Sequence, residues 1–108
     1  MTDRIHQFLR ERREAGRDTG PCLVVDLDVV RENYHAFAKA LPDTRVFYAV
    51  KANPAAEVLD LLARLGSCFD AASLTEIEQV LATGAAPDRI SFGNTIKKER
   101  DIARAYAL

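Results

Sequence analysis

The stretch "VFYAVKANP", residues 46–54, runs through five uncharged apolar residues and then reaches Lys51. An apolar run without polar alternation is the pattern of a parallel strand covered on both faces. Side chains alternate along a strand, so Lys51 shares a face with Phe47 and Ala49, opposite Val46, Tyr48 and Val50. Pro54 follows closely and can open a helix, where its missing N–H costs nothing. The stretch therefore reads as strand, charged strand end, helix.

The same rhythm extends on both sides. Upstream, "CLVVDL" (22–27) is a β-branched strand candidate followed by Asp28, a good helix N-cap. Val30, Tyr34, Phe37 and Leu41 then recur at helical spacing until Pro42-Asp43 breaks the helix. Downstream of Pro54, the stripe Val58, Leu61, Leu62 and Leu65 predicts a helix that Gly66 terminates. "CFDAA" (68–72) is a further strand, and Ser73 with Glu76 matches a capping box that opens a helix carrying Ile77, Val80 and Leu81 inward. Gly84 and Pro87 end it. "ISFG" (90–93) is the last strand, and "KKERDIARAYAL" (97–108) the last helix, with Ile102, Ala105 and Tyr106 on one side.

From residue 45 onward this makes three βα units of roughly twenty residues, the alternation of an α/β fold with a parallel sheet and right-handed crossovers. Residues 1–20 read as an N-terminal helical or irregular segment. Residues 21–108 read as part of a (β/α) barrel. Three units cannot close an eight-stranded barrel, so the sequence is expected to be the N-terminal part of a longer protein.

Composition narrows the function classes. The 108 residues are 48% hydrophobic with a formal net charge of −1, enough for one small core and without a bias towards nucleic acid or acidic membranes. Cys22 and Cys68 lie far apart with no CxxC spacing, and His6 and His35 have no metal-like neighbours, so none of the four is expected to bind metal. No run approaches the roughly 18 apolar residues of a membrane span. The N-terminus lacks the apolar core of a secretory signal, and a cytoplasmic protein is expected.

Two residues carry the chemistry. At the C-terminal end of a barrel strand, Lys51 would border the active site. An amine partly withdrawn from water can attack an aldehyde and hold it as a Schiff base, although a lysine can also merely snorkel from a strand end. Asp70 ends the next strand, "FDAAS". Neighbouring parallel strands lie about 4.8 Å apart, so its carboxylate can approach Lys51, although a cap or loop hydrogen bond would equally account for an aspartate there. Glu76 is accounted for by its capping box. Gly93 with the following amides suggests phosphate binding, but the segment matches neither GxxxxGK[ST] nor GxGxxG, and Lys97 and Lys98 read as solvated first-turn residues.

Taken together and in order, "FYAVKANP", "GSCFDAASLTEIEQV" and "ISFGNTIKKERDIARA" resemble the group IV, fold-type III pyridoxal-phosphate decarboxylases of ornithine, lysine and diaminopimelate. The resemblance implies an alanine racemase-like (β/α)8 TIM barrel and pyridoxal 5'-phosphate as cofactor, bound through Lys51. Asp70 would lie beside the Schiff base and Glu76 in the surrounding polar network. "PCLVVDLD" would be the strand leading in from a β domain. It further implies a homodimer with shared active sites, a small amino-acid substrate, and no nucleic-acid or membrane partner. The third segment is more similar to ornithine and lysine enzymes, which feed polyamine synthesis, than to diaminopimelate enzymes. Alternatives are diaminopimelate decarboxylase, an alanine racemase-type enzyme, and a non-catalytic relative that binds a partner protein. Other cofactor and catalytic residues of the family lie later in its chain, so these 108 residues alone are expected to be inactive.

Overall fold

Phe47–Ala49 is β1, the first of three parallel strands in a computed structural model that describes all 108 residues. Cys68–Ala71 (β2) and Ile90–Phe92 (β3) follow, in the sheet order β1-β2-β3. Phe47, Tyr48 and Ala49 pair with Cys68, Phe69 and Asp70. Phe69, Asp70 and Ala71 pair with Ile90, Ser91 and Phe92. Helices α3 (Ala56–Arg64) and α4 (Leu74–Leu81) connect these strands, and α5 (Glu99–Ala107) follows β3. The three expected βα units are all present, with strands shorter than the apolar runs that announced them.

The register sorts the side chains into two layers. Tyr48, Phe69, Ala71, Ile90 and Phe92 point to the helical side, and Phe47, Ala49, Cys68, Asp70 and Ser91 to the other. The core lies on the helical side: Val50, Val58, Leu59, Leu62, Phe69, Val80 and Ala85 form one buried cluster, with Phe69 at 0% exposure in its middle strand. Burying a phenylalanine this completely stabilises the fold by about 1.5–3 kcal/mol. On α3 the inward stripe is Val58, Leu59, Leu61 and Leu62, so Leu59 joins it and Leu65 stays half-buried. Gly66, at φ 92°, takes the left-handed position that ends α3. Arg89 then ties that helix end down, donating to Ala63 O at 2.8 Å and to Ser67 O at 2.6 and 3.0 Å.

Three expectations need correction. Residues 22–27 form no strand. They join no ladder, Leu23 is 88% exposed, and Leu27 is already the first residue of the next helix, packed against the core. The next helix, α2 (Leu27–Ala40), is accordingly capped by Asp26, whose carboxylate accepts from Asp28 N at 3.0 Å; Asp28 sits in the first turn. On α5 Ala105 lines a small cavity with Ile77, Leu81, Ile90, Phe92 and Leu108, whereas Ile102 and Tyr106 are exposed, Tyr106 at 95%.

Residues 1–20 do contain a helix, α1 (Asp3–Glu14), capped by Thr2. Arg4 joins it to the start of α2, lying 3.5 Å from Asp26 and hydrogen-bonded to Asp28, which Arg31 also contacts at 2.8 Å. The hydrogen bond from Arg4 holds the Asp28 carboxyl below its ordinary value of 3.8. No helix is long and apolar enough to cross a membrane.

Candidate active site

Immediately after β1 the chain tightens into a 3₁₀ turn, Val50–Ala52. Val50 is wholly buried and anchors the turn in the core, so Lys51, one residue on, emerges on the opposite side. The turn is held from below. Tyr48 Oη donates to Asn53 O at 3.1 Å, and Asn53 Oδ1 accepts from Ala55 N at 3.1 Å. Burial of the Tyr48 ring pushes its phenol above the ordinary value of 10. Asn53 is extended, φ −159° and ψ 105°, the bias of a residue before proline, but Ala55 is non-helical as well, at ψ 133°, so α3 starts at Ala56 rather than at Pro54.

Asp70 enters the same space from β2. It is the register partner of Ala49, half-buried on the face away from the helices. Ala49, Lys51, Asp70, Ala71, Ala72, Gly93, Asn94 and Thr95 together line one cavity of about 250 Å³ at the C-terminal edge of the sheet. Lys51 and Asp70 therefore share a pocket, with small Ala49 between them. No ion pair within 4.0 Å joins them, and Lys51 is exposed rather than withdrawn from water, because no element of these 108 residues covers that face.

The walls of the pocket are fixed by the loops after β2 and β3. Ser73 caps α4 by accepting from Glu76 N at 3.2 Å. Glu76 does not close the reciprocal half of a capping box. Its Oε2 accepts instead from Ala72 N at 2.6 Å, one residue earlier, and so stiffens a pocket residue. Gly93 donates its N–H to Ala71 O at 3.0 Å, and its Cα lies against the Asp70 carboxylate. A methyl group at Gly93 would collide with Asp70 Oδ1 and come within 3.0 Å of its Cγ. The glycine serves close approach, since its φ is not positive.

Asn94, Thr95 and the aspartate-facing role of Gly93 escape sequence reasoning. The only signal for them was a glycine at a strand end. Lys97 differs from its expected place: it precedes α5, and its Nζ turns back to Phe92 O at 3.1 Å and Asn94 O at 2.6 Å. Lys98 is the residue before the first turn of α5.

A protein-family model for the pyridoxal binding domain of pyridoxal-dependent decarboxylases matches residues 27–108. The chain belongs to that family. It is 50% identical over 102 residues to the chloroplastic ornithine decarboxylase of Nicotiana glauca, a match covering 94% of this chain and 22% of that protein. It is 44% identical over 91 residues to the lysine/ornithine decarboxylase of Selenomonas ruminantium, covering 84% of this chain and 23% of that one. The structure of lysine/ornithine decarboxylase from Vibrio vulnificus complexed with putrescine superposes with a TM-score of 0.88 at 31% identity, over 99% of this chain and 29% of that one. The chain thus spans between a fifth and a third of the proteins it matches.

The chain has the α/β parallel sheet of part of the family's alanine racemase-like TIM barrel. The pocket's donor set fits one end of the family's cofactor, pyridoxal phosphate. It offers one amine and one carboxylate beside a glycine that leaves the carboxylate room. Lys51 is the only cation among the eight lining residues, so they offer the cofactor's phosphate no second positive partner.

Proposed function

We propose that the protein decarboxylates a basic amino acid, ornithine or lysine, to the corresponding diamine, with Lys51 and Asp70 as its catalytic and cofactor-binding residues in this chain. The observation that carries this reading is their convergence. Both leave the C-terminal ends of adjacent parallel strands and line one pocket, where barrel enzymes keep their active sites.

Lys51 would hold the cofactor through its side-chain amine. Pyridoxal phosphate, once bound, supplies a ring that accepts the electron pair left when carbon dioxide departs. The chain's own residues do the rest. The Val50–Ala52 turn, pinned by Tyr48 and Asn53, presents the Lys51 amine to the pocket. Asp70 offers a fixed negative charge that favours a proton on a nitrogen held at Lys51. Gly93 leaves that carboxylate its space, and Glu76 holds the Ala72 N–H at the pocket wall.

A homodimer with shared active sites, a place in polyamine synthesis and a cytoplasmic location belong to the same proposal. The test is carbon dioxide release by the full-length protein from ornithine, lysine and diaminopimelate, with and without Lys51→Ala. Turnover of ornithine or lysine that Lys51→Ala abolishes supports the reading. Turnover of diaminopimelate alone moves the substrate, and a colourless protein that turns over none of the three points to a non-catalytic relative.

A further inference from the structure

The loop after β3 holds the one lysine ammonium in the chain that donates hydrogen bonds to the protein backbone. Lys97 Nζ donates to Phe92 O at 3.1 Å and to Asn94 O at 2.6 Å, and it sits 5.3 Å from the centre of the Phe92 ring. These two carbonyls flank Gly93. From its other side Gly93 is bonded to Ala71 O at 3.0 Å, and its Cα faces the Asp70 carboxylate. The Gly93 backbone is thereby gripped between β2 and a cationic clip, in the one place where it limits how Asp70 can turn.

We propose that Lys97 is a positioning residue, whose ammonium clamps the Phe92–Asn94 backbone and so keeps Gly93 against Asp70 with the carboxylate aimed into the Lys51 pocket. It rests on Lys51 and Asp70 being the reactive pair. Lys97 itself does not line the pocket and touches neither member of that pair. Its effect passes through backbone geometry. A donor bearing a full charge is the suitable group, because charge-assisted hydrogen bonds to carbonyls are about twice as strong as neutral ones and one ammonium can serve both oxygens. The ring of Phe92 beneath it adds attraction for a cation that a neutral side chain would not feel. Lys97 is exposed, yet its amine turns back onto two backbone carbonyls instead of extending into water.

The experiment compares the unsubstituted full-length protein with its Lys97→Met variant, which keeps most of the stem, and its Lys97→Arg variant, which keeps the charge and can still donate to two carbonyls. Two readouts apply. Amide hydrogen exchange at Gly93, referenced to Phe69 and Ile90 in the same sheet, reports the clamp. The rate at which added pyridoxal phosphate becomes borohydride-fixed on Lys51 reports the pocket. Lys97→Met is expected to speed Gly93 exchange about tenfold with Phe69 and Ile90 unchanged. It should also shift the Asp70 carboxyl carbon resonance and slow labelling of Lys51, and Lys97→Arg should restore all three. Equal acceleration at Gly93, Phe69 and Ile90 would show a general loss of stability and overturn the proposal. So would a Lys97→Met variant whose Gly93 exchange and Lys51 labelling match the unsubstituted protein. If Lys51 takes no label even without substitution, the reactive-pair reading falls and the positioning role with it, whatever Gly93 shows.

Discussion

Gly93 lies so close to Asp70 that the carboxylate occupies the space a β-carbon would need. The blocking atom is the tip of a side chain, and the Gly93 backbone has no positive φ to strain. Gly93→Ala should therefore fold, with Asp70 rotated away and stability changed by no more than about 1 kcal/mol. The expected pattern is a nearly unchanged urea midpoint with markedly slower reaction of Lys51 with pyridoxal phosphate. A large stability loss with normal Lys51 reactivity would place the glycine's role in the fold alone.

Removing the Asp70 carboxylate separates site from scaffold in the same way. Asp70→Ala in the full-length protein is expected to retain cofactor and lose about 10²–10³ in turnover, the usual cost of deleting a preorganised electrostatic partner. Turnover per folded molecule that stays constant while thermal stability drops would contradict this.

The core prediction concerns Phe69, at 0% exposure in the central strand. Phe69→Ala should cost about 3–5 kcal/mol, from lost transfer energy plus the cavity left among Val50, Leu59 and Val80. Urea denaturation followed by circular dichroism gives the number. Loss of less than about 1 kcal/mol would mean that the buried cluster is not the chain's stabilising core.

Acidification should act first at the junction of α1 and α2. Asp28 is held below 3.8 by its hydrogen bond with Arg4. A carboxylate lowered in the folded state stabilises above its unfolded value, and that contribution is lost as pH falls through the lower, folded one. Both side chains are largely exposed, so salt weakens the link. Nuclear magnetic resonance of Ile5 and Phe8 should show α1 loosening below pH 3.8 at low salt, ahead of any change at Phe69. Arg4→Gln should remove that step.

How much of this was legible beforehand depends on whether the signal was local. The strand-helix alternation from residue 45 onward could be read because apolar runs, Gly66 and Ser73 act through their own neighbours. Lys51 and Asp70 could be singled out because a charge leaving a buried strand stands out against it. Residues 22–27 misled: β-branched residues favour a strand, but a strand exists only with a partner, and the sheet supplies none there. Asp26 and Asp28 are equally good caps, and tertiary context chose the first. The Glu76 bond to Ala72 and the return of Lys97 to the end of β3 depend on loop conformation, which spacing does not encode.

The pocket is bounded by eight residues and open on the side away from the helices. The 108-residue chain alone is expected to show little or no decarboxylase turnover and to self-associate through the unpaired edges of β1 and β3. Sedimentation and a carbon dioxide assay decide this. Robust turnover by a monomer would contradict it.

Lys51 as the residue that carries the cofactor can be tested directly by one measurement. Borohydride reduction in the presence of pyridoxal phosphate fixes the cofactor on whichever lysine has bonded to it, and peptide mapping then names that residue. The chain contains Lys39, Lys51, Lys97 and Lys98. The label is predicted on Lys51, in the peptide containing "VFYAVKANP", and its loss is predicted in Lys51→Ala. A label on Lys39, Lys97 or Lys98, or on no lysine, would contradict the assignment.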